Sequence, residues 1–216
     1  IIHSLDRMRS SEAYYYVGSV VSEIGHILDQ AWTLIKEDDG RTALVLLEAL
    51  TEEYLSEWTN LDDSSGDVSG FFHDLGPAWT EALLSVDLSS EEREAWTAKL
   101  NHWQEEMSDY GVDDAFDAPC GAALYLWDYP PLQRVLEGNI TELGAWDGEA
   151  PFYADELATA RLHVLERRGR LQEYLYLAEA EGQTEAHVIM LVRMNHTQEA
   201  VAYAREYLET PQQALN

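Results

Sequence analysis

The 216-residue sequence holds one cysteine, Cys120, which excludes an internal disulfide and any zinc site built on several cysteines of the chain. Lysine is nearly as scarce, at Lys36 and Lys99 only, and lysine and arginine together number 13 against 41 aspartates and glutamates, a formal net charge of −28. Such a surface repels a phosphate backbone and releases few counterions, so direct nucleic-acid contact by this chain is not expected. No run approaches eighteen uncharged apolar residues, and no basic stretch followed by an apolar one opens the chain. Neither a membrane span nor a signal peptide is expected, and the expected location is cytoplasmic. Glycine-rich phosphate loops and a G-x-S-x-G elbow are missing. An initiator methionine is missing as well, and the last residues, from Pro211, read as the opening of a further helix. Both features suggest a piece of a longer protein.

What is present is apolar material: 46% of residues are hydrophobic and seven are tryptophan, too much for an acidic disordered tail. Its spacing is helical nearly throughout, and β-branched alternation is scarce, so the expected fold is all-α. Ile24, Ile27, Leu28, Ala31, Leu34 and Ile35 fall at three- and four-residue steps in a long helix expected over 11–36. Glu37 to Gly40 reads as its end and a turn, and a second helix is expected over 41–58, the two forming an antiparallel hairpin. Ser89 followed by Glu92 fits a capping box that opens a helix over 90–110. The section 111–151 holds four of the six prolines and is expected to break into short helices and loops. Sliding the sequence on itself by 26 residues brings Leu165 onto Leu191, Gly169 onto Asn195 and Ala178 onto Ala204, which predicts stacked helical hairpins from Asp155 onward. The expected architecture is therefore an irregular solenoid of the tetratricopeptide type or a bundle. An acidic helical region would span 1–110, a connecting section 111–151 and hairpin repeats 152–216.

The acidity is localised. Between Glu37 and Asp117 stand 22 acidic and three basic residues, a net of −19, against a net of −4 from Asp155 to Asn216. A solvated surface accounts for this; so does a docking face for a basic protein or peptide. Asp62, Asp63 and Asp67, in a polar turn, are candidate contacts. A calcium-loop reading of that turn fails, because counting from Gly66 as the sixth position puts Leu61 and Phe72 where acidic ligands belong. Trp127 and Tyr129 precede a Pro-Pro pair and are candidate aromatic anchors.

Three constellations suggest chemistry. Glu23 and His26 have the Glu-x-x-His spacing of di-iron bundles, but no second copy occurs. His73-Asp74 resembles the paired ligands of helical metal-dependent phosphohydrolases, with His26 and Asp109 or Asp113 available to complete a site. Beside Gly76-Pro77, however, Asp74 more simply caps a helix start. Cys120 has no histidine tied to it by motif and reads as a packed small side chain rather than a nucleophile.

Several stretches resemble the C-terminal helical region of bacterial SWIM zinc-finger family proteins: residues 43–55, 61–66 running into Phe71-Phe72, 79–84, Trp127 to Arg134, and 153–158 with 175–182. The resemblance implies an upstream zinc finger of C-x-C and C-x-H form, proposed in that family to bind nucleic acid or protein. None of its ligands maps here, since Cys120 stands alone. The combined expectation is a non-catalytic helical-repeat module for protein–protein interaction, with a protein partner, possibly a basic one, and no cofactor. The alternatives are an all-α metal-dependent hydrolase using His26, His73 and Asp74, and a purely structural or oligomerisation scaffold.

Overall fold

A computed structural model of the chain describes residues 13–58, 67–109 and 111–207, with side chains from residue 24 onward except 57, 58 and 67–69. The described residues form ten helices and no strand, in agreement with the all-α expectation. They divide into two compact units, 1–124 and 125–216, so residues 111–124 belong to the first and 125–151 to the second.

The first unit contains α1 (Ala13–Lys36), α2 (Gly40–Trp58), α3 (Asp67–Leu84), α4 (Ser90–Ser108) and α5 (Asp117–Leu124). Helix α3 is central, packing on α1, α2 and α5. Its residues Phe71, Phe72, Leu75, Ala78, Trp79, Ala82, Leu83 and Leu84 are all buried, as expected of a helix that is apolar nearly all round. Trp79 adds a direction to this packing: its indole Nε1 donates to Thr51 Oγ1 of α2 at 3.0 Å, and its ring lies 5.2 and 5.5 Å from those of Trp96 and Trp103 on α4. Gln104 of α4 closes the other end, donating to the Val112 carbonyl at 2.9 Å and accepting from the Phe116 N–H at 2.8 Å. The capping box forms as expected, with the Glu92 N–H on Ser89 Oγ at 3.2 Å and the Ser89 N–H on Glu92 Oε2 at 2.8 Å.

Two local expectations are corrected. Gly40 does not end α1; Asp38 takes the left-handed turn at φ 59°, and Gly40 opens α2. A Cβ at residue 40 would lie 2.8 Å from Val86 Cγ1 and 3.0 Å from the Ala82 carbonyl oxygen, so the glycine serves close approach of α2 to the end of α3. Asp74 caps nothing, because α3 runs unbroken through Gly76 and Pro77.

The second unit contains α6 (Pro130–Leu136), α7 (Ala154–Arg167), α8 (Leu171–Ala180), α9 (Thr184–Arg193) and α10 (Thr197–Tyr207). Helices α7 to α10 pack each on the next, and α6 packs on α8. The true step of this stack is one helix of thirteen residues. Gly169, Gly182 and Asn195, at φ 66°, 66° and 64°, stand thirteen apart, and so do the helix starts Leu171, Thr184 and Thr197. After each turn the next N–H reaches back to a helix carbonyl: Arg170 to Leu165 at 2.9 Å, Gln183 to Ala178 at 2.8 Å and His196 to Leu191 at 2.8 Å. This is the Schellman closure, which requires the left-handed residue that glycine and asparagine supply most easily.

Burial follows the same step. Arg161, Leu162, Val164 and Leu165 of α7 are buried, as are Tyr174, Leu175, Leu177 and Ala178 of α8. At the equivalent positions of α9, His187, Met190 and Leu191 are buried and Val188 is half-buried. In α10 only Ala200 is buried; Tyr203 and Ala204 are half-buried, and Val201 is 44% exposed.

Candidate functional site

The first unit carries most of the charge, and its few cations are occupied. Arg41 of α2 pairs with Glu92 of α4 and donates to the Asp87 carbonyl. The Arg41 hydrogen bond, followed by those from the Ser89 backbone and hydroxyl, holds the Glu92 carboxyl down at about 2. Lys99 of α4 bridges Glu48 and Glu52 of α2 and lies over the rings of Trp96 and Trp103 at 5.9 and 5.2 Å. Arg93 donates to the Leu124 carbonyl at 3.0 Å. All three basic residues between Glu37 and Asp117 thus act inside the unit, tying helices together, while the carboxylate excess stays on its surface.

One concavity of the first unit gathers several of the residues singled out from sequence. It lies between α1 and α3, encloses about 570 Å³, and is lined by Gly25, His26, Leu28, Asp29 and Trp32 on one side and Phe71, His73, Asp74 and Pro77 on the other. Leu28 and Phe71 are buried and form the floor. Trp32 is half-buried, and His26, Asp29, His73 and Asp74 stand exposed around the rim. His26 Nδ1 lies 3.8 Å from Asp29 Oδ2, and His73 Nδ1 lies 3.6 Å from Asp114 Oδ1. The sequence therefore pointed to residues that do share one groove, but not as a metal centre. Among the described residues no group of three His, Cys, Asp or Glu side chains is placed to hold an ion, and the hydrolase reading lacks its ligand set there.

Pro77 gives this groove a feature that spacing alone did not reveal. Within a helix the N–H of residue 77 would bond to the carbonyl of residue 73; proline has no N–H, so the His73 carbonyl loses that donor. The position is tolerated because Pro77 and His73 both lie on the exposed side of α3. The result is a backbone acceptor on the same rim as the Asp29 and Asp74 carboxylates.

Of the other candidates, Asp62 and Asp63 lie outside the described residues, and Asp67 is the first residue of α3, its side chain likewise outside them. Trp127 and Tyr129 are half-buried and pack against the second unit's core. Arg170 lies over the Trp127 ring at 5.4 Å. The Tyr129 hydroxyl accepts from the Asp147 N–H at 3.2 Å. Both aromatic side chains are thus engaged within their own unit. The most exposed large apolar residue is Phe152, at 77%. Cys120 is half-buried, and desolvation, with Asp117 adding to it, pushes its thiol up to about 12; a thiol held protonated is a poor nucleophile.

Arg161 is the one strongly buried cation among the described residues. Its guanidinium donates to the Tyr125 carbonyl and lies 5.9 Å from the Trp146 ring, and desolvation draws its pKa down to about 10 against the pull of Glu181. Glu181 in turn accepts from the Ala145 N–H at 2.7 Å and the Trp146 indole at 3.0 Å. This network clamps the 144–147 loop onto the end of α8 and reads as structural.

Comparison with protein-family models, with curated proteins and with solved structures finds no match to this chain.

Proposed function

We propose that the chain is a non-catalytic helical module for protein–protein interaction and that its first unit receives a basic partner. The observation that carries this reading is the disposition of charge. With Arg41, Arg93 and Lys99 all used internally, the acidic surplus between Glu37 and Asp117 is left to be balanced from outside the unit. A complementary basic surface would gain mainly in encounter rate and specificity. The resemblance to the helical region of SWIM zinc-finger proteins supports the same reading, because it would assign nucleic-acid contact to an upstream finger and leave partner binding to the helices.

The scaffold alternative has one observation in its favour, the uncovered apolar register of α10. It concerns the second unit and is compatible with a basic partner on the first.

Zero-length carbodiimide coupling of the chain in its native extract tests the proposal, since it joins carboxylates to lysine amines and this chain has only two lysines of its own. The expected result is cross-links from Asp and Glu of the first unit to lysines in basic segments of a partner. Cross-links confined to residues 125–207, or to acidic partner segments, would overturn it.

A further inference from the structure

We infer that the groove between α1 and α3 is the docking point for an arginine-bearing segment of the partner, an inference that rests on the basic-partner reading above. Three properties converge there. The floor of Leu28 and Phe71 is apolar and suits an aliphatic stem or a neighbouring hydrophobic side chain. The rim carries Asp29 and Asp74, and among the described residues neither pairs with a lysine or arginine. The His73 carbonyl, released from the helix by Pro77, adds an acceptor beside them.

Arginine matches this set better than lysine. A guanidinium presents five N–H donors in a rigid fork and can satisfy a carboxylate and a carbonyl together, whereas an ammonium is a compact, strongly hydrated point charge. Trp32 on the groove wall offers a ring face against which the planar group stacks. Simple attraction to a negative surface would show no such preference and no dependence on which carboxylates are present.

Fluorescence anisotropy with the full chain at about 50 mM salt tests the site, using labelled arginine–leucine, lysine–leucine and glutamate–leucine peptides of equal length. The arginine peptide is expected to bind best and the glutamate peptide not at all. Asp29→Asn with Asp74→Asn should weaken the arginine peptide about tenfold, whereas Glu94→Gln with Glu105→Gln, which removes equal charge from exposed positions of α4, should change it less than twofold. Pro77→Ala restores the helical N–H; it should weaken binding severalfold while raising the thermal midpoint, a combination that damaged folding cannot produce. Equal losses in both carboxylate pairs, or equal affinity for arginine and lysine peptides, would overturn the groove and leave the basic-partner reading standing. Failure of either cationic peptide to bind the unmodified chain would remove both.

Discussion

His187 ties three helices of the second unit together. From α9 its Nδ1–H donates to the Leu175 carbonyl of α8 at 3.1 Å, and its ring stacks on Tyr203 of α10 with centroids 4.1 Å apart and planes 11° from parallel. Burial, outweighing the Leu175 carbonyl and Glu179, draws its pKa below the ordinary histidine value. The unfolded chain therefore takes up this proton first as the pH falls. The group has no effect on stability well above the ordinary histidine range and costs stability as acid is added through it. In urea titrations the midpoint should fall between pH 7.5 and 5.5, and His187→Phe, which keeps the stacked ring, should flatten that slope. An unchanged slope in the variant would assign the pH response elsewhere. Nothing in the sequence marked this residue, a lone histidine whose repeat equivalents are Tyr174 and Ala200. His26, His73 and Asp74 were legible as neighbours, yet their role was misread, because Gly76-Pro77 looks like a helix start and here sits in mid-helix on an exposed face.

At the scale of the element, the left-handed turn is the unit of construction. An added Cβ at Gly169 or Gly182 meets nothing within 4 Å, so the constraint there is conformational and not steric contact. Gly182→Ala should cost about 1 kcal/mol in denaturant unfolding, while Asn195→Gly should be neutral or slightly stabilising, since glycine takes positive φ without a Cβ penalty. A similar loss from both substitutions would argue against turn strain as the cause. The repeat was visible in the sequence at twice its real length, for a packing reason. The covered position that closes each turn alternates Leu165, Ala178, Leu191 and Ala204, large and small side chains in turn, so identities recur every second helix. Other elements were read directly: Ser89 and Glu92 form the cap their spacing promised, and the long apolar periodicity from Ile24 to Ile35 is a single helix. The boundary at Leu124 was not legible, because it falls where a short helix ends inside a proline- and glycine-rich section rather than in a linker.

The molecule as a whole divides its tasks between two cores. Trp79, Phe72 and Leu83 centre the first, and Leu162, Leu165, Leu177 and Met190 the second. Residues 125–216 produced alone should retain helical circular dichroism and a cooperative thermal transition; a non-cooperative melt would mean that this core does not suffice by itself. Charge is divided in the same way, with the surplus on the first unit. The thirteen-residue step of the second has a consequence for its growth. Each helix, with its turn, repeats the covered register of the one before, so duplication or deletion of thirteen residues between Gly169 and Asn195 keeps every later side chain on its proper face. A change of six or seven turns the following helix inside out. The length of this unit is in that sense quantised, and length variants compatible with the fold should differ by whole helices.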